Sequence, residues 1–333
     1  MIGAVILLSQ MVSNHRYLIV VIILCIVLVG ISAGIKIQDN ISTNQNPFDF
    51  GDIFTGSHPA PLPGMDSSFL DNSNFSNSGN QTVKPKPAGI PGVTATAYLV
   101  GNIKTGKIYM AKNSNRIMPV ASMSKLVTAF VATDVLTADS TITITEESAS
   151  TSPDGSNLQV DEHYTLNEIL QTLLLSSSNV AAESIARTSN RDYFMELMRS
   201  YAWEVGMPNS FFADPSGISP QNVASAQDLF GLAKYLVNFR PDILQRTRIM
   251  GASFATTTSH GSHVITSTHP FVGDPRFIGG KTGRTEAAGE TMLTILNIDD
   301  QPIAFIILGA RYGSRESDTR ILLGEVQKVA DFR

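Results

Sequence analysis

From residue 94 the chain alternates apolar and polar β-forming positions to residue 100, turns over 102–106 and resumes over 107–110, which predicts a β-hairpin. The spacing then becomes helical. Thr165 and Glu168 carry the signature of a capping box ahead of the apolar run 169–175, and Ser225 and Asp228 repeat it ahead of 229–239. Residues 191–205 place Phe194, Leu197 and Tyr201 near helical spacing. Strand patterns return at 276–282, 291–298 and 302–308, and 318–332 reads as a closing helix. Strands are segregated from helices rather than alternating with them. The predicted fold class is therefore α+β: an antiparallel five-stranded sheet with helices packed on it and a mainly helical middle.

The first part of the chain follows different rules. Residues 17–35 are uncharged and mostly apolar, between Arg16 and Lys36. As a helix they would span about 28 Å, close to the hydrocarbon thickness of a bilayer. The run has no polar face, so a membrane segment is expected rather than a core helix. Ile31-Ser32-Ala33 offers a small-residue cleavage site, but the apolar run is longer than the usual signal core. An uncleaved anchor is favoured, with a cleaved signal as the alternative. Arg16 and His15 on one side weakly keep residues 1–16 in the cytoplasm, so the rest of the chain would be extracytoplasmic at a bacterial cell membrane. Residues 36–86, rich in Asn, Ser, Pro and Gly, read as a flexible linker. The phenylalanines at 48, 50, 54, 69 and 75 are unusual for such a segment and suggest docking.

Composition sharpens this division. The chain has 333 residues; at roughly 150 residues per domain, that length alone would suggest two domains. Yet the first 86 residues hold only nine of the charged side chains and no Glu. One folded domain, 87–333, behind a leader fits better. A formal net charge of −5 gives no support for a nucleic-acid partner. A single Cys excludes an intramolecular disulfide framework and a Cys-rich zinc site. Cys25 follows Leu24, where a lipobox needs a small residue, so it reads as an apolar residue of the membrane segment. His260 and His263 stand three apart with no Glu or third ligand evident beside them, and are read as surface histidines. No metal or cofactor is expected.

Three short motifs remain. Ser122-Met-Ser-Lys125 precedes an apolar helical run, and residues at i and i+3 share a helix face about 5–6 Å apart. Ser177-Ser-Asn179 follows the helix ending at Leu175. Lys281-Thr-Gly283 ends a strand pattern after Gly279-Gly280. Each alone has an ordinary explanation: a helix cap, an inter-helix turn, an edge strand with a Gly bulge. A phosphate loop is excluded at the third, because Pro275 stands where the first Gly would be needed.

Together, in this order and on these elements, they form the signature set of penicillin-recognising serine acyl-enzymes. The segments 119–129, 173–182, Asp214-Pro-Ser-Gly-Ile-Ser219 and 280–289 also resemble the D-alanyl-D-alanine carboxypeptidases of the low-molecular-weight penicillin-binding proteins. The likeness runs from about Thr94 to the end and implies a β-lactamase/transpeptidase-like fold. It implies that Ser122 is the nucleophile attacking peptidoglycan stem peptides ending in D-Ala-D-Ala, with β-lactams as covalent inhibitors. Lys125 would be the base if neutral when it acts, and Ser177 the proton relay. Asn179 would hold the substrate amide and orient Lys125. Thr282, beside Lys281, would bind the terminal carboxylate. The N–H groups of Ser122 and of Arg284, which follows Gly283, would form the oxyanion hole. The Arg284 side chain adds positive charge for an anionic substrate or is a solvated rim residue.

Class A β-lactamases share the fold but need a Glu in a loop after Ser-x-Asn; residues 214–219 occupy that region without one, so β-lactam hydrolysis is not expected. A non-catalytic penicillin-binding or wall-sensing module stays open. So does the choice between carboxypeptidase, D,D-endopeptidase and transpeptidase, since the motifs do not say whether water or an amine accepts the acyl group. Relatives with a carboxypeptidase role often carry a C-terminal β-domain and terminal membrane helix, which the sequence lacks after its closing helix; this leaves room for the endopeptidase.

Overall fold

The computed structural model describes residues 89–151 and 156–329. The expected cytoplasmic stretch 1–16, membrane segment 17–35 and nearly all of the stretch before the fold, including the linker 36–86 with its phenylalanines, lie outside the described residues, as does the end of the predicted closing helix. Among the described residues, no helix is long and apolar enough to cross a membrane.

In chain order the elements are β1 (Ala97–Asn102), β2 (Ile108–Lys112), β3 (Met118–Pro119), a 3₁₀ turn (Ala121–Met123) and α1 (Ser124–Val135). Then come β4 (Thr141–Thr143), α2 (Glu146–Ala149), β5 (His163–Thr165), α3 (Leu166–Leu175), α4 (Asn179–Thr188) and α5 (Arg191–Glu204). They are followed by β6 (Val223–Ala224), α6 (Ala226–Phe239), α7 (Pro241–Arg246), β7 (Gly251–Phe254) and β8 (His263–Thr266). The last are β9 (Phe277–Thr285), β10 (Gly289–Ile298), β11 (Gln301–Ala310) and α8 (Arg315–Val329).

The main sheet is five-stranded and antiparallel, in the order β2-β1-β11-β10-β9. This is the predicted hairpin joined to the predicted late meander. Both faces are covered. Leu99, Leu293, Ile295 and Ile306 pack into the helical core, while Tyr98, Met292, Phe305 and Ile307 pack with Leu322 and Val326 of α8. A strand buried on both faces needs apolar residues at every position, which is why 303–308 reads as an unbroken apolar run and is wholly buried.

Both predicted capping boxes form. Thr165 accepts from Glu168 N–H and Glu168 reaches back to Thr165 at the start of α3; Ser225 and Asp228 do the same for α6. Helix α1 is buried on all sides from Ser124 to Ala132, the burial expected of a helix with no polar stripe. It is the axle of the helical region and carries the first motif at its start.

The histidines require a correction. His260 and His263 are not surface residues: they are 7% and 8% exposed. Two glutamates, distant in sequence, accompany them. His263 Nε2 lies 2.6 Å from the Tyr164 hydroxyl and 3.2 Å from Glu162 Oε1, and His260 Nε2 lies 3.5 Å from Glu168 Oε1. Tyr164 donates to Glu162 at 2.5 Å and stacks on the His260 ring. The cluster fastens the hairpin β7–β8 to β5 and the start of α3. Among the described residues no group of three or more His, Cys, Asp or Glu is arranged to hold a metal ion.

Candidate active site

The nucleophile turn begins at Ala121, whose φ of +50° is in the left-handed region. The turn runs directly into α1, so Ser122 and Lys125 share one face. Lys125 Nζ lies 3.0 Å from Ser122 Oγ. The same nitrogen donates to Asn179 Oδ1 at 2.7 Å and to the Ser216 carbonyl at 2.6 Å. Lys125 is completely buried, so these partners, rather than bulk water, surround its amine.

Ser177 sits between α3 and α4 with φ +64°. Ser178 is the cap of α4, accepting from Ala181 N–H, which makes Asn179 the first helical residue. The strained turn and the cap thus separate two roles that look interchangeable in the sequence. Ser177 turns toward Lys281, whose Nζ donates to its Oγ at 2.8 Å and to the Thr282 carbonyl at 2.9 Å. Lys281 is also buried, and its ammonium is pushed well below the usual lysine range by burial first, then by the charges of Lys125 and Arg315.

Strand β9 is the edge of the sheet and has a register irregularity opposite Ile295 and Leu296. It is therefore both the bulged edge strand that the glycines suggest and one wall of the site. At Gly283 a Cβ would come within 2.9 Å of Ser122 N and 2.5 Å of Thr291 Oγ1; only a bare backbone lets β9 lie against the nucleophile turn. Thr282 pairs its hydroxyl with that of Thr268 at 2.8 Å. Arg284 is exposed, with its guanidinium 5.0 Å from the ring of exposed Tyr312.

The predicted residues Ser122, Lys125, Ser177, Asn179, Lys281, Thr282 and Gly283 therefore converge, and Arg284 borders them. Two further side chains join from segments whose sequences carry no signal for it. Thr268 follows β8, with its N–H bonded to the Leu175 carbonyl. Arg315 opens α8 and donates to the Gly283 carbonyl at 3.1 Å. A third contributor is the loop after α5. Asp214 binds four residues of its own loop, which brings the carbonyls of Pro215 and Ser216 onto α1. Beneath β9, His269 is buried with its Nε2 against the Leu293 carbonyl. Burial, offset in part by that carbonyl and reinforced by the charges of Lys281 and Arg315, holds its pKa down to about 3.

The arrangement can activate a hydroxyl beside two buried amines and receive a peptide against an open strand edge. Comparison with known proteins shows the family. The sequence profile of the D-alanyl-D-alanine carboxypeptidase family matches residues 81–312. A D-alanyl-D-alanine endopeptidase of Escherichia coli is 28% identical over 239 residues, covering 69% of this chain and 76% of that protein. A D-alanyl-D-alanine carboxypeptidase of Mycobacterium tuberculosis is 28% identical over 218 residues, covering 62% and 73%. A solved structure of a carboxypeptidase so named from the same organism superposes with a TM-score of 0.67 at 23% identity, covering 76% of this chain and 97% of that one, a likeness of fold.

Proposed function

The chain belongs to the D-alanyl-D-alanine carboxypeptidase family and is a peptidoglycan peptidase, and we propose that it works as a serine-type D,D-carboxypeptidase through an acyl-enzyme on Ser122. The observation that carries this reading is the environment of Lys125 Nζ. A neutral amine has two hydrogens and one lone pair. The Asn179 and Ser216 oxygens only accept, so they take the hydrogens, and the lone pair is left to face the Ser122 hydroxyl. The proton then moves from Ser122 to Lys125 as Oγ attacks the carbonyl between the last two D-alanines. Ser177 accepts from Lys281, which turns its own hydroxyl hydrogen toward the leaving amine. D-Alanine departs with the Ser177 hydrogen, which Lys281 replaces. Water then attacks the ester, its proton passing by way of Ser177 to Lys281 while Lys125 returns its proton to Ser122 Oγ, and the trimmed peptide is released.

Thr282 and Lys281 receive the substrate carboxylate, and the N–H groups of Ser122 and Arg284 receive the oxyanion, a contribution of about 3–4 kcal/mol per donor in comparable enzymes. Arg315 supports this assignment: in a trans peptide, the carbonyl of Gly283 and the N–H of Arg284 point opposite ways, so holding the first aims the second. A β-lactam would acylate Ser122 in the same manner. Residues 17–35 would hold the enzyme at the bacterial cell membrane with this domain outside; the length and uniform apolarity of that run support it.

A second reading, the D,D-endopeptidase that cleaves cross-links, is favoured by the relative of that name. Purified muropeptides separate the two. The carboxypeptidase releases D-alanine from pentapeptides and leaves cross-linked dimers intact; cleavage of dimers without pentapeptide trimming would replace it with the endopeptidase. Ser122→Ala should abolish both turnover and covalent labelling by a fluorescent penicillin, and full labelling of that variant would end the serine reading.

A further inference from the structure

We propose that Asp214 is a positioning residue for Lys125, acting through the Ser216–Gly217 peptide group. The proposal rests on Lys125 being the base. Asp214 does not reach Ser122 or Lys125. Its Oδ1 accepts from the Ser216 N–H at 2.7 Å, the Ser216 hydroxyl at 2.7 Å, the Gly217 N–H at 2.6 Å and the Ile218 N–H at 3.3 Å, and its Oδ2 accepts from the Ser219 N–H at 2.7 Å. The loop is wound around one carboxylate.

The consequence follows from peptide geometry. The Gly217 N–H and the Ser216 carbonyl belong to one trans peptide and point in opposite directions. When the carboxylate draws the N–H inward, the carbonyl is driven outward, onto Lys125 Nζ at 2.6 Å. The preceding peptide repeats the relation: Ser216 N–H turns to Asp214, and the Pro215 carbonyl meets Thr128 Oγ1 at 2.6 Å on the same helix α1.

Two further features fix the loop. Asn222 accepts from the Ala213 and Asp214 N–H groups and donates to the Asp214 carbonyl. Gly217 has φ +89°, and a Cβ there would lie 2.0 Å from the Ala121 carbonyl oxygen. The loop thus rests on the nucleophile turn itself. Without the carboxylate the Ser216–Gly217 peptide can rotate. Lys125 then loses one of the two obligate acceptors that leave its lone pair facing Ser122, while Lys281 on the other side remains.

The test is acylation by a fluorescent penicillin across pH in the full chain, for Asp214→Ala and Asp214→Asn, with Lys125→Ala alongside. The maximal acylation rate of Asp214→Ala should fall about ten- to a hundredfold, the cost of a misplaced reacting group, with half-saturation changed less than about twofold. The acid limb of its rate profile should move to lower pH, because a lost acceptor no longer favours the ammonium form. Asp214→Asn keeps the side-chain shape and one acceptor oxygen; it should lie between Asp214→Ala and the unaltered protein, and it decides the matter if the alanine variant does not fold. An unaltered rate and profile, or a loss of rate with the acid limb unmoved, would overturn the proposal. If Lys125→Ala acylates normally, it is the base assignment that fails; if Lys125→Ala is dead while both Asp214 variants are normal, only the role of Asp214 fails.

Discussion

His269 has no place in the proposed chemistry, yet it is the residue through which acid acts most directly on the ground beneath the site. Its folded pKa is about 3 against an ordinary value of 6.5, lowered chiefly by burial. Below pH 6.5 the unfolded chain takes up a proton that the folded chain refuses. The associated stability is whole above that pH and is lost progressively toward pH 3, on the order of a few kcal/mol. Glu162 adds a second loss further down. Its desolvation is outweighed by bonds from Tyr164, the Gln159 and Gly261 N–H groups and His263, which bring it from 4.5 to about 2, so its contribution disappears as pH falls through that interval. Urea unfolding between pH 4 and 7 should show stability falling with acid, and His269→Gln should flatten the slope; an equally steep slope in the variant would contradict this. None of it is legible in the sequence. His263 and Glu162 are 101 positions apart, and only the packing of hairpin β7–β8 against β5 and α3 brings them together. Ser122, Lys125, Ser177, Asn179 and Lys281 are legible only through the joint order of three motifs on a helix start, a turn and a strand end, and through the resemblance that this order carries; singly, each motif has an ordinary explanation.

Between elements, the decisive contact is β9 against the nucleophile turn. A side chain at Gly283 meets Thr291 and the Ser122 N–H at distances no real Cβ tolerates, so Gly283→Ala must push strand and turn apart. Displacement approaching 1 Å is expected to reduce acylation about a hundredfold, while the rest of β9 keeps its pairing with β10. Penicillin labelling rates with a parallel thermal melt would check it; a normal rate with normal melting would mean that the two elements move together. The signals that start an element are local and legible in the sequence. Capping boxes depend on four consecutive positions, and both formed as expected. What could not be read was which elements touch: α8 and the segment after β8 supply Arg315 and Thr268 to the site without any periodicity or motif that announces it.

For the molecule as a whole, the uneven charge along the sequence predicts one folded domain after a leader, where length alone predicts two. Among the described residues the five-stranded main sheet has an apolar cluster packed on each face. The expected attachment makes its own prediction. In fractionated cells the full chain should stay with the membrane pellet through alkaline extraction, and its domain should be open to protease in spheroplasts. Recovery in the soluble fraction would remove residues 17–35 as an anchor. One further feature concerns time rather than space. Asp318 of α8 accepts from the Thr94 N–H and hydroxyl and from the Ala95 N–H, and β1 pairs with β11 from Ala97 to Asn102. The first strand of the sheet therefore waits for partners made much later: Thr94 and Asp318 are 224 positions apart. Contacts of such sequence separation are slow to form, so the sheet cannot close until β11 has been made, and the helical middle, rich in local contacts, has every opportunity to fold first.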